Sequence, residues 1–360
     1  MKKYFLPYKI GMIFNPIKVT GVIRAVYKTI EIMFPSRLNA MAIDPSKIAE
    51  NKNLVYTPGE ILFSVGIYKR IKISVVEKEK NKIYISENSK RKPLIKHAYF
   101  LMKKALKFKE SLFIEVDNDM EIRHCGLGSS SGLIAGVSCA INELYGKPLN
   151  KRDLVKYLAQ NHGEEIDGDN EKINPVQCIG GSAAAGIYGG GLMVLAGESY
   201  LIKKINIPPS YKVVIGIPKN FKEEDSKILL EKEIKNLNKF LKTGKKFGKQ
   251  IAYNVLHKLL PAMEEGDLRK IGEVIYDYRF NMGSINNCSF VYPGIINLAK
   301  KLSFLKKKNL VDVLAISSVG PAFFAVTENV DYCKKIFEKY NLFTIITRIE
   351  NNGYSVIKKC

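Results

Sequence analysis

Residues 124–132 read His-Cys-Gly-Leu-Gly-Ser-Ser-Ser-Gly and run straight into a stretch with helical spacing. Leu133, Ile134, Val137, Ala140, Ile141 and Leu144 share one face of that predicted helix. Gly126 and Gly128 remove side chains where backbone must approach an anion or take positive φ. Three hydroxyls follow, so Ser129 or Ser130 can cap the helix while another faces a ligand or a metal. The first amides of a helix lack intrahelical partners and point toward incoming negative charge. The stretch therefore reads as a cradle for linked phosphates. The other reading is a plain glycine turn before a capped helix. No GxxxxGK[ST] occurs in the chain, and Gly132 falls one residue late for GxGxxG, so neither common nucleotide loop is present.

At 360 residues the chain exceeds what one core usually covers, and two domains are expected. A hydrophobic content of 46% excludes a disordered chain. The balance of 57 basic against 35 acidic residues gives a formal charge of +22. Lysine is densest over 219–249, where Glu223, Glu224, Asp225, Glu231 and Glu233 are interleaved. That mixture reads as a solvated helix face, and nucleic acid is not expected as a partner. The positive field would still attract phosphorylated small molecules. Abundant lysine and the absence of Trp suggest a hot or AT-rich source. The cysteines form no CxxC pair, and neither a clear signal peptide nor a membrane-length apolar run appears. A soluble, cytoplasmic protein acting on a small molecule, with no membrane partner, is the expectation; a homodimer is left open.

Strand-like runs fall at 28–34, 61–67, 71–76, 82–86 and 111–116, with a helix around His97 to Leu106. Helices near 130–145 and 151–161 precede a Gly/Ala-rich segment and strands near 191–196 and 211–216. Helical runs follow at 222–243, 248–259, 266–282 and 293–307. Strands at 311–316, 322–326, 342–348 and 353–358, with a helix near 331–340, close the sequence. This order suggests a mixed α+β domain and a second domain with a terminal antiparallel β-α-β pattern. Pro208 and Pro209 mark the boundary.

GLGSSSG resembles the second motif of the GHMP kinase superfamily (galactokinase, homoserine kinase, mevalonate kinase and relatives), usually PxGxGLGSSAA. Here Arg123, His124 and Cys125 lead into the loop, without the Pro and first Gly. The resemblance covers about residues 28–360. Pro35-Ser36-Arg37-Leu38-Asn39 stands where the first motif belongs, and Ile316-Ser317-Ser318-Val319-Gly320-Pro321 where the third does. PSRL, Leu260-Pro261-Ala262 with Glu264 and Asp267, and SSVGPAFF are similar to the β-ribofuranosylaminobenzene 5'-phosphate synthase branch of archaeal methanopterin biosynthesis. The resemblance implies a two-domain α+β fold, with a ribosomal S5 domain 2-like N-terminal half (28–207) and a ferredoxin-like C-terminal half (208–360). Residues 1–27 would be an extension, either an interaction arm or a start-site artefact.

The activity implied is that of an ATP- and magnesium-dependent small-molecule kinase phosphorylating a hydroxyl or carboxyl. The first alternative is a synthase using phosphoribosyl pyrophosphate with magnesium. The second is a nucleotide- or metabolite-binding regulator that has lost its base. On this alignment Ser130 reaches the metal, while Gly126, Leu127, Gly128, Ser129 and Ser131 hold nucleotide phosphates. Ser318 and Gly320 would approach the same ligand. Residues 162–174, HGEEIDGDNEKIN, supply carboxylates suited to magnesium and to proton transfer. Glu165 is the expected second metal ligand. Asp169 is the expected base, since Asp169-Asn170 mimics a catalytic Asp-Asn; the register through Gly189-Gly190 leaves no base. Arg37, at the end of a strand, can fork onto a substrate phosphate or carboxylate. His124 beside the loop either contacts nucleotide or simply packs. The block GGSAAAGIYGGG reads as pocket lining or as tight helix–sheet packing.

Overall fold

The computed structural model describes residues 6–17, 19, 21, 23–47, 58–118, 120, 123–176 and 178–360. Of the expected extension, residues 1–5, 18, 20 and 22 lie outside the described residues. The first half comprises β1 (Tyr8–Lys9), β2 (Thr29–Ala42), β3 (Glu60–Lys80), β4 (Ile83–Ile85), α1 (Lys92–Leu106) and β5 (Glu110–Asn118). These are followed by α2 (Ser129–Leu144), α3 (Lys151–Gln160), β6 (Gly163–Ile166), β7 (Asp169–Pro175), α4 (Gly181–Tyr188), β8 (Leu192–Ala196) and β9 (Tyr200–Ile205). The runs at 61–67 and 71–76 are one strand, β3. The acidic stretch expected around 162–174 forms the β6/β7 hairpin, and part of the glycine-rich block winds into α4.

β2 and β3 form the spine of a seven-stranded sheet. Ile30, Ile32 and Phe34 of β2 face one core, shared with α1, α2 and α4. Their register shifts between Pro35 and Ser36, where proline has no N–H to give the ladder. Beyond the shift Leu38 and Ala40 join a different core. The shift thus exchanges the two faces of the strand and sends Arg37 and Asn39 toward the starts of α2 and α4. Arg37 is therefore mid-strand at a bulge, not at a strand end.

The second half comprises β10 (Lys212–Pro218), α5 (Ser226–Asn254), α6 (Leu260–Glu265), α7 (Leu268–Tyr276), α8 (Ser284–Asn287), α9 (Ile295–Leu302) and α10 (Phe304–Lys307). β11 (Val313–Ile316), β12 (Phe323–Thr327), α11 (Val330–Lys339), β13 (Leu342–Arg348) and β14 (Ser355–Lys359) complete it. The helical runs 222–243 and 248–259 are one helix, α5, continued by a π turn at Val255–Leu259. The sheet order is β11-β12-β10-β13, antiparallel throughout, which is the split β-α-β arrangement. β10, β11 and β12 read as near-continuous apolar runs because both their faces are covered, whereas the edge strand β13 is largely exposed. Val213 and Ile215 face the core shared by the first sheet and helices α5 to α7, and Val214 faces the core formed with α9 and α11.

Two features depart from a clean division at residue 207. β14 returns to pair with β2, Ser355 opposite Met33, so the final strand belongs to the first sheet. One core also joins Leu38, Phe63 and Val65 of the first sheet to Ile215, Ile251 and Phe324 of the second half. We keep the boundary near 207 as a proposal, with β14 assigned across it. The N-terminal segment is likewise no loose extension: Tyr8 is 7% exposed, and β1 adds a third strand to the hairpin.

Candidate active site

The 124–128 loop is wound by three left-handed residues, His124 (φ 57°), Gly126 (φ 95°) and Gly128 (φ 65°). Both glycines are required twice over. A Cβ on Gly126 would collide with the carbonyl oxygen of Ser317, and one on Gly128 would lie 2.5 Å from Ser182 Oγ. Gly128 is the N-cap of α2 and supplies no side-chain cap, correcting the expected serine cap. The first turn of this 16-residue helix also carries no acidic residue, so its amides and the positive end of its dipole open into the cleft.

The hydroxyls have separate partners. Ser129 Oγ accepts from Arg91 Nη1 (3.1 Å) and Ser130 Oγ from Arg91 Nη2 (2.5 Å). Ser131 Oγ pairs with Ser182 Oγ on α4 at 2.7 Å. The third-motif turn locks onto the loop from the other side. Ser317 Oγ donates to the Gly126 carbonyl (2.6 Å) and accepts from Asn39 N–H (3.1 Å); Ser318 N–H donates to Asn39 O (3.0 Å). Arg279, buried, braces this corner by donating to the carbonyls of Ala40, Asn39 and Ser318.

A cavity of about 200 Å³ opens where these segments meet. Arg37, Ser130, Glu164, Ser182, Glu233 and Ser318 line it, together with Gly126 to Ser129 and Ser131. Gly320, expected to approach the ligand, is not among the lining residues. Arg37 donates through Nη1 to Gly126 O (3.1 Å), while its buried Nε has no partner. Three carboxylates reach the cavity. Glu60, buried, accepts from Asn39 Nδ2 and fills the space left by Gly181. Glu164 has a buried Oε2 with no hydrogen-bond partner, 3.7 Å from Arg91 Nη2, and His162 Nε2 lies 3.6 Å from its Oε1. Burial opposes ionisation of Glu164, yet the His162 contact, Arg91 and the Ser130 hydroxyl outweigh it and hold its pKa down at about 2. Glu233 comes from α5, whose Ser226, Leu229, Leu230 and Glu233 present one helical face to the cleft. Burial first, and the charge of Glu164 second, push Glu233 up to about 7.

Other expected residues fall elsewhere. Glu165 points to the opposite side of β6, its Oε1 taken by Arg91 Nε (2.6 Å) and Arg123 Nη1 (3.4 Å). Asp169 sits in the exposed hairpin turn, where its Oδ1 accepts from the backbone N–H of Glu171 (2.8 Å) and Lys172 (2.9 Å). These bonds lower its pKa and occupy it locally. It borders an adjoining open cleft of about 380 Å³ that contains none of the loop residues, and the structure does not bring it to Ser130. His124 reaches across to Ser226 Oγ on α5 at 3.2 Å. Sequence reasoning missed Arg91 and Glu233, which belong to no motif, and did not single out His162 or Ser182 within the two stretches that contain them. It counted Glu164 among the carboxylates of the acidic stretch but chose Glu165 as the metal ligand, although strand alternation could have separated the two. Among the described residues no helix is long and apolar enough to cross a membrane.

Residues 93–188 match the family profile described as GHMP kinases N terminal domain. The chain is 25% identical over 276 residues to the beta-ribofuranosylphenol 5'-phosphate synthase of Archaeoglobus fulgidus, covering 68% of this chain and 75% of that one. It is 28% identical over 229 residues to the homoserine kinase of Methanococcus vannielii, covering 62% and 66%. Among solved structures, homoserine kinase from Cytophaga hutchinsonii superposes with a TM-score of 0.60 at 16% identity, covering 94% of this chain and 100% of that one. L. major mevalonate kinase superposes with a TM-score of 0.62 at 12% identity, covering 92% and 100%. At such identities these structures speak for the fold.

Proposed function

Because this chain belongs to the GHMP kinase superfamily, whose members are kinases or related synthases, we propose that its cleft transfers a phosphoryl group from ATP to a hydroxyl or carboxyl of a small metabolite. One observation carries the reading. The uncapped start of α2 opens onto a cavity in which Ser130 stands beside a buried carboxylate oxygen, Glu164 Oε2, that accepts no hydrogen bond and has Arg91 Nη2 3.7 Å away.

The loop amides and the helix start bind the phosphates, and Arg91, already forked onto Ser129 and Ser130, neutralises them from the rim. A hard cation fits the pair Ser130 and Glu164: both offer oxygen, and Glu164 is ionised, with a buried oxygen that accepts no hydrogen bond. Magnesium bound there would neutralise charge on the phosphoryl oxygens. Glu164 thus takes the place expected of Glu165. Of the three cavity carboxylates, Glu60 is tied to Asn39 and Glu164 is held as an anion by cations, leaving Glu233 to take the proton of the attacking hydroxyl. Arg37, with its spare Nε, orients an anionic group on the acceptor. The acceptor suggested by the homoserine kinase relatives is an amino-acid alcohol, so L-homoserine is the first probe.

A second reading is favoured by two observations: among the described residues no aspartate lines the cavity, and a relative is named a beta-ribofuranosylphenol 5'-phosphate synthase. In that reading the same cradle holds the pyrophosphate of phosphoribosyl pyrophosphate. Incubation with ATP and L-homoserine, and separately with phosphoribosyl pyrophosphate and 4-hydroxybenzoate or 4-aminobenzoate, separates the two. ADP release supports the kinase, and pyrophosphate release supports the synthase. In either case Ser130→Ala should weaken magnesium–nucleotide or magnesium–pyrophosphate binding about tenfold or more while the melting temperature changes little. Unchanged affinity would remove the metal role.

A further inference from the structure

The segment Tyr8–Asn15 is wrapped around the one stretch of backbone that carries the cation-binding carboxylate. Tyr8 Oη donates to the carbonyl of His162 (2.8 Å), and Gly163 has no side chain because Tyr8 Oη fills that space. Asn161, 0% exposed, spends its side chain on the segment: Oδ1 accepts from Phe14 N–H (2.8 Å) and Asn15 N–H (3.0 Å), and Nδ2 donates to Asn15 O (2.9 Å). His97 joins the two. Gly11 N–H donates to its Nδ1 (3.0 Å), so the proton lies on Nε2, which donates to Asn161 O (2.7 Å). Tyr8 and Lys9 also pair with Ile173 and Lys172, on the other strand of the hairpin. Residues 161, 162 and 163 are thus each held by this arm, and Glu164 is the next residue along.

We propose that Tyr8–Asn15 is a positioning element of the catalytic centre: by gripping residues 161–163 it fixes where Glu164 stands relative to Ser130. The inference rests on the cation role of Glu164 and Ser130 proposed above. The arm touches no ligand itself. It acts as outer-shell partners of metal ligands act, by removing the freedom of the strand that bears one. A hairpin held only by its own two strands would place that carboxylate less closely.

The test is Mn²⁺ binding to the full-length chain, with and without ADP, read by electron paramagnetic resonance of free Mn²⁺. Tyr8→Phe removes one hydroxyl and keeps the ring. Tyr157→Phe makes the same change at a buried tyrosine that donates to Leu101 O (2.8 Å), away from the hairpin. Tyr8→Phe should weaken Mn²⁺ binding about tenfold, with metal-free ADP binding unchanged, and Tyr157→Phe should bind Mn²⁺ as the wild type does. Wild-type affinity in Tyr8→Phe, or equal weakening in both variants, overturns the arm's role alone. A wild-type chain that binds no Mn²⁺ overturns the cation reading and this inference together.

Discussion

Glu164 and Glu165 are neighbours in sequence and face opposite environments. Glu165 is consumed by Arg91 and Arg123, whereas Glu164, only loosely paired with Arg91 at 3.7 Å, keeps in the cavity an oxygen that accepts no hydrogen bond. The sequence announces that a carboxylate from this stretch matters. It does not say which, because the choice depends on the phase of a strand only four residues long. Glu233 was less accessible still: it sits among lysines and reads as a solvated residue until α5 is laid across the loop. Its proposed role gives a sharp expectation. A group with a pKa of about 7 is protonated, and useless as a base, at lower pH. Turnover should therefore decline as pH falls below 7. Glu233→Gln should lower kcat about a hundredfold and abolish that acid limb, while nucleotide affinity stays near wild type; a pH–rate profile of both chains decides. An intact limb in the variant would return the base to an unknown residue.

At the scale of elements, α2 and its loop were legible because glycine, hydroxyl and apolar periodicity agree on one reading. The register shift at Pro35 and Ser36 was not, although it aims Arg37 into the cavity, since a bulge is defined by the partner strand. The N-terminal arm was equally opaque; its bonds run to residues far along the chain, and no local pattern encodes them. Its keystone, His97, makes the arm's attachment pH-dependent. Burial pulls the His97 pKa from 6.5 to about 4. Between those values the unfolded chain binds a proton that the folded chain refuses, so this contribution is intact above pH 6.5 and is lost as pH falls toward 4. The loss amounts to about 3 kcal/mol. Glu233, raised in the fold, runs the opposite way over much of the same range, so the comparison must be differential. Urea melts of wild type and His97→Asn at pH 7 and pH 4.5 should show a smaller acid loss in the variant. Parallel losses would mean that His97 is not the group responsible.

For the whole molecule, the two larger sheets and their order of elements follow from strand and helix runs taken with the motif spacing. Which sheet claims the last strand does not follow, because β14 is exposed along its whole length and short, and its partner lies far away in the sequence. Removing residues 355–360 should leave β2 as an open edge. The expected result is a lower melting temperature and concentration-dependent association in light scattering. A truncated chain that melts and scatters like the intact one would make β14 an ornament. The interlock of Gly126 with Ser317 has a consequence of another kind. On a translating ribosome, the glycine emerges almost two hundred residues before the serine that completes its cradle. A nascent chain that has not yet reached Ser317 therefore lacks the contact that closes the loop, and the proposed grip on phosphate forms only once that serine has been made.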